Sequence, residues 1–272
     1  MLRAELTRAF ISQNFLIALI LGLILLGIGI YDYYPGYFTD YAAHQEAIAA
    51  GQFDPYIANT FDFFLWARRN FILTYTVPLI VVLPFATSFT SERTSKYLQL
   101  VVSRGGRNRY IFSKFIANAL AGGTVLALSA VIIYAFLSLI LPEGLPAPYP
   151  GTTGIPPQNP FDELYRQDTA LFVWTRIGIN FIFGATYASI GMLASLFTEN
   201  RFIALAAPFV FYIGLTFIMT LLNFVSWMPA AAYNPRLAVS SSALTVFGQL
   251  GLYFVLSAIG IFVASKYILR DI

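Results

Sequence analysis

The sequence predicts an all-α, polytopic membrane protein, and three observations lead there. The 272-residue chain is 58% hydrophobic and only 11% charged, where soluble domains average about 45–50% and about 25%. That excess cannot be hidden in one soluble core, because surface scales too steeply with size. Six segments are long and apolar enough to cross a bilayer, which takes about 20 residues per helix. Runs such as residues 16–26 are continuously apolar, without the alternation of a membrane β-strand. Helices remain, because they satisfy their own backbone inside an apolar layer.

The expected spans are residues 9–31, 71–89, 110–141, 170–197, 202–227 and 243–267. The first resembles a signal peptide in having basic residues before an apolar run. The run is too long for an h-region, however, and Tyr31-Asp32-Tyr33-Tyr34-Pro35 follows it where small residues would mark cleavage. It is read as a retained helix. Ahead of it, Leu2, Leu6 and Phe10 recur every four residues while Arg3, Glu5 and Arg8 face elsewhere. This predicts an amphipathic helix lying in the membrane interface; the alternative is that residues 1–10 are the first turns of the first span.

Pro78 and Pro84 in the second span and Pro208 in the fifth remove backbone donors and bend the helix. The fourth span carries a small-residue ridge, Asn180, Gly184 and Ala188, continued by Gly191 and Ser195. In the third, Ala119 and Gly123 have the same spacing. Such ridges let helices approach closely, within one bundle or across a dimer. Residues 198–201 join spans four and five in a tight turn, whereas the loops 35–70 and 142–169 are long. The second of these is crowded with Pro and Gly and reads as irregular chain.

Lys and Arg orient the spans. With both termini in the cytoplasm, eleven basic and four acidic residues lie inside, against five and nine outside, as the positive-inside rule requires. Six of the sixteen bases fall between Arg93 and Lys114. Anionic headgroups account for that concentration, but not for Tyr97, Leu98, Leu100, Val101 and Val102 in the same link. Apolar residues in a cytoplasmic loop want a covering surface.

Here the chain resembles the permease subunit of type-two ABC transporters, the exporter-like membrane-domain family. Glu92, a short helix over residues 95–102, Ser103-Arg104 and Lys114 follow the family's order in the link between helices two and three; Val101-Val102 stand where the family often has a proline. The resemblance implies six helices behind an N-terminal amphipathic one, in a single transmembrane domain over 1–272 of a cell membrane, of the prokaryotic plasma-membrane kind. It implies a coupling site of Glu92, Tyr97, Leu98, Leu100, Val101, Arg104 and Lys114. It also implies a dimer with a second permease copy or a related permease, and two copies of a cytoplasmic ABC ATPase subunit that carry ATP and Mg. The chain has no G-x-x-x-x-G-K-[ST] loop for phosphates, so no catalytic residue, cofactor or nucleic acid is expected of it. A non-catalytic membrane anchor or assembly subunit is the alternative.

Other candidates are fewer. Arg176, about two turns into the fourth span, can meet an anionic cargo together with Asn180, or it can snorkel towards Asp168 or Glu163. Asn118, Asn180, Asn223 and Gln249 read as interhelical hydrogen bonders. His44 is the only histidine, so Asp40 and His44 are a poor start for a metal site and no Ser-His-Asp catalysis is expected. With no cysteine, thiol chemistry is excluded. The acidic residues lie almost all outside the spans, which disfavours a proton-coupled carrier with midplane carboxylates.

Overall fold

The computed structural model describes residues 1–32, 45–46, 49–51, 59–86, 88–94, 98, 102, 106–141, 161, 164, 167–234 and 242–268. Every regular element among them is helical. Of the implied coupling residues, Tyr97, Leu100, Val101 and Arg104 lie outside the described residues, as do Asp40 and His44.

The N-terminal segment is a helix of its own. Helix α1 (Leu2–Phe10) ends at Ile11, and α2 (Gln13–Tyr31) starts afresh behind Ser12. The Ser12 hydroxyl accepts from the Phe15 amide at 3.1 Å, supplying the N-cap that an independent helix needs. One face differs from expectation. Glu5 is buried at 5% exposure, whereas Leu2 stands at 36%, because Glu5 meets a lysine described below.

Helix α3 (Thr60–Arg69) falls in what reads as outer loop. Asn59 and Asp62 close a capping box: the Asn59 side chain accepts from the Phe61 and Asp62 amides, and Asp62 accepts from the Asn59 amide at 3.1 Å. The expected second span is broken. Helix α4 (Phe71–Val82) runs through Pro78 but stops before a turn that contains Pro84, and α5 (Ser88–Thr94) resumes after it. The strand of chain nonetheless traverses α2 lengthwise. Asn70 reaches the Leu25 carbonyl at 3.5 Å, and the Pro84 carbonyl lies 3.5 Å from the Ser12 hydroxyl at the other end.

Helices α6 (Arg107–Ile140) and α7 (Thr169–Phe197) are the long central pair. At about 1.5 Å per residue, the 34 residues of α6 outreach a bilayer core. Helix α8 (Arg201–Leu221) is capped by Asn200 and ends six residues short of expectation. Asn223 takes a left-handed φ of 62°, with Phe224 N–H on the Met219 carbonyl and Asn223 N–H on that of Thr220. This pair of bonds is a Schellman closure. The chain then turns back through Val225–Trp227 and the short α9 (Pro229–Tyr233), all five residues of which are buried. Helix α10 (Ala243–Ile268) completes the set.

Among the described residues, five helices are long and apolar enough to cross a membrane: α2, α6, α7, α8 and α10. The chain therefore reads as a multi-pass membrane protein. Helix α8 buries only the stripe Ala204, Pro208, Tyr212 and Thr216 and leaves Phe202, Val210 and Phe217 exposed, a distribution that suits lipid contact.

The small-residue ridges meet inside this chain. A Cβ on Gly184 would collide with the Gly122 carbonyl, and one on Gly123 would sit 2.7 Å from the Phe181 carbonyl. Asn118 Nδ2 donates to the Ala188 carbonyl at 2.7 Å across the same antiparallel crossing. Gly178, on α7 itself, faces open space. Gly184→Ala is therefore expected to lower the unfolding temperature in detergent, losing about 1–3 kcal/mol or more to overpacking. Gly178→Ala should leave it unchanged or raise it slightly, since Ala is the better helix former.

Candidate functional site

Two buried polar clusters lie towards opposite ends of the α6–α7 crossing. The first gathers α1, α5 and the start of α6. Glu92 Oε1 sits 2.7 Å from both Lys114 Nζ and Arg8 Nη1. Glu5 completes a square, 3.2 Å from Arg8 and 3.5 Å from Lys114. The Tyr110 hydroxyl donates to Glu92 Oε2. Lys114 is 1% exposed, and the rings of Phe85 and Tyr110 lie 5.0 and 5.2 Å from its ammonium.

Local sequence explains the arrangement. Tyr110 and Lys114 are one turn apart on α6 and share a face. Glu5 and Arg8 are a turn apart on α1. Two carboxylates and two cations balance: Glu5, Glu92 and Lys114 are buried and Arg8 closes the cluster from its exposed edge, which makes the burial tolerable. Burial alone would raise the Glu92 carboxyl's pKa, but Lys114, the Tyr110 hydroxyl and Arg8 outweigh it and hold it below its ordinary value of 4.5.

The structure thus joins Glu92 and Lys114, twenty-two positions apart along the link and helix, in one contact. Reading the sequence missed Glu5, Arg8 and Tyr110 as members. Their signal was available: Glu5 and Arg8 are i, i+3 on a short helix, and Tyr110 precedes Lys114 by one turn. Leu98 is 1% exposed and packs in an apolar cluster with Phe89, Ile111, Phe115, Met192 and Leu196. Its covering surface is this chain's own. Arg107 Nη1 reaches the Lys266 carbonyl at 3.4 Å, so the end of α10 lies at the same end of the bundle as α1.

The second cluster gathers α3, α7 and α9. Arg68, placed by sequence in an outer loop, is 3% exposed. Its Nη2 donates to Asn180 Oδ1 at 2.7 Å and to the Tyr233 carbonyl at 3.3 Å. The rings of Tyr233 and Phe64 lie 5.4 and 6.0 Å from the guanidinium. Arg176 is buried, with the Phe172 ring at 5.9 Å from its guanidinium; Glu163, one of its expected partners, lies outside the described residues. Asn180 is thus engaged by Arg68, not by Arg176. Arg68 was legible as a member of a buried face, because it stands one turn after Phe64 and next to Ala67 on a helix announced by its capping box.

Among the described residues, no group of three His, Asp or Glu side chains is arranged to hold a metal. Comparison with models of protein families, with curated proteins and with solved structures finds no match to this chain.

Removing one member of the balanced cluster strands the rest. Lys114→Met is expected to cost about 3–5 kcal/mol, read as a lower thermal midpoint and yield of folded protein. Because Glu92 is held below its ordinary value, its contribution is complete above pH about 4.5 and is lost as the pH falls through the lower folded value. The thermal midpoint should fall with acidification in that range, and Glu92→Gln should remove that share of the slope.

Proposed function

We propose that the chain is the permease subunit of an ATP-driven exporter, paired with a second permease and driven by a separate cytoplasmic ATPase. The observation that carries this reading is the contact between Glu92 and Lys114 at 2.7 Å, which ties both flanks of the basic link to α1. A push on residues 95–105 then acts on α1, α5 and α6 together, because Glu5 and Arg8 close the same cluster. Leu98 anchors the link from beneath. The remaining apolar and basic residues of the link, Tyr97, Leu100, Val101 and Arg104, are the ones assigned to the ATPase surface.

Six crossings with both ends in the cytoplasm fit the same reading. Helix α1 and the end of α10 lie at one end of the bundle, so the number of crossings between them is even. Five are long helices; the sixth is α4 with the turn that follows it, which lies along α2 from Leu25 to Ser12. The positive-inside count puts the Lys114 end in the cytoplasm. Helix α1, with its apolar residues part-exposed, then lies along the inner interface.

Co-expression with the genes that neighbour its own, and a search of the purified complex for an ATPase subunit, tests this. The two proteins are expected to co-purify, and Leu100→Asp to abolish co-purification while the permease stays folded. Leu98→Asp should instead lower the yield of folded permease, since it buries a charge in an apolar cluster. A chain that never captures the ATPase is an anchor or assembly subunit, not a permease.

A further inference from the structure

The cluster at α3, α7 and α9 contains a cation whose balance is unfinished. Arg68 is 3% exposed, and its partners are all neutral: Asn180 Oδ1, the Tyr233 carbonyl, the nearby Tyr233 hydroxyl and two aromatic rings. Only Nη2 donates. Nε and Nη1, both buried, meet no acceptor among the described residues; they carry three of the five guanidinium N–H groups. The Tyr187 hydroxyl, buried and joined to Tyr233 through the Phe183 ring, is likewise without a bond among the described residues. A second guanidinium adds to the positive charge, since Arg176 acts electrostatically on the same Tyr233.

Such a site contrasts with the four-charge cluster at the other end of the bundle, where each cation has a carboxylate. A buried lysine can escape the cost of burial by losing its proton, but arginine stays protonated. Cation–π contacts and amide dipoles offset part of that cost. What they do not supply is an acceptor of matching charge for the free N–H groups, and charged oxygens are the groups that suit a guanidinium best.

We infer that Arg68, with Asn180 and Tyr233 holding one edge of its guanidinium, forms a binding site for an oxyanion, a carboxylate or phosphate group presented to Nε and Nη1. The site goes beyond the transport reading and stands without it, because no ATPase contact enters its construction. Two sources carry this chemistry: an anionic lipid headgroup, or a soluble oxyanion that enters the bundle.

The test is thermal unfolding of the full chain in two arms. One titrates inorganic phosphate against chloride at constant ionic strength in neutral detergent; the other compares nanodiscs of phosphatidylglycerol with nanodiscs of phosphatidylcholine. The wild type is expected to gain roughly 5–10 °C in at least one arm near saturation, at about a hundred times Kd. A response to phosphate identifies a soluble oxyanion, and a response confined to phosphatidylglycerol identifies a headgroup. Arg68→Met should abolish the response in both arms. Asn180→Asp places a fixed carboxylate 2.7 Å from Nη2, so it should raise the midpoint in anion-free buffer and leave no further response. Should Arg68→Met fail to fold, Asn180→Asp alone decides. The inference is overturned if the wild type responds in neither arm, or if a folded variant responds as the wild type does.

Discussion

Backbone contact between Gly122 and Gly184 governs the architecture. At that crossing no side chain fits between α6 and α7, and the Asn118 amide bonds directly to the carbonyl of Ala188. Within an apolar solvent there is no hydrophobic force to press helices together, so close packing and interhelical hydrogen bonds must do it. Gly191 continues the contact against Val82 of α4, so α7 is held on two sides. The crossing also fixes where chemistry can sit. Lys114 lies about 12 Å along α6 towards one end, and Asn180 about 6 Å along α7 towards the other.

The two ends handle buried charge in opposite ways. At the Lys114 end, four charges from three elements neutralise one another, and a tyrosine hydroxyl fills a remaining carboxylate oxygen. Such a cluster behaves as a rigid joint, because removing any partner strands a buried charge. At the Arg68 end, one guanidinium is held by neutral acceptors and aromatic faces. A joint suits transmission of force between the link and the spans. A cation with spare donors suits capture of something from outside the chain.

Much of the fold was legible because apolar length alone marks a membrane helix. The boundaries of α6, α7 and α10 fall within about three residues of those expected from the sequence. The misses share a cause. Residues 71–91 and 202–233 carry no charge, so hydropathy does not show where the chain turns within them. Pro84 and the left-handed Asn223 decide those turns locally. Helix α3 was missed because ten residues carrying Asp62, Arg68 and Arg69 fall short of a membrane span, although Asn59 and Asp62 spell a capping box. Of the charged site, Glu92 and Lys114 were legible in order along the chain, but Glu5 is 109 residues from Lys114, and no periodicity links them.

By itself, the sequence determined an all-helical chain of membrane-crossing length, the uneven distribution of its basic residues, and the presence of small-residue ridges. These are properties of composition and local spacing. The tertiary structure alone decided that the ridges close within one chain, that Glu5 turns inward, that Leu98 is covered by its own bundle, and that Arg68 rather than Arg176 holds Asn180. Two of those outcomes join a buried charge to a partner more than a hundred residues away, Glu5 to Lys114 and Arg68 to Asn180, and the other two are apolar and backbone packing between distant segments. The choice of partner is made by the free energy of the packed whole, where an unmatched charge is costly, and no local segment carries it.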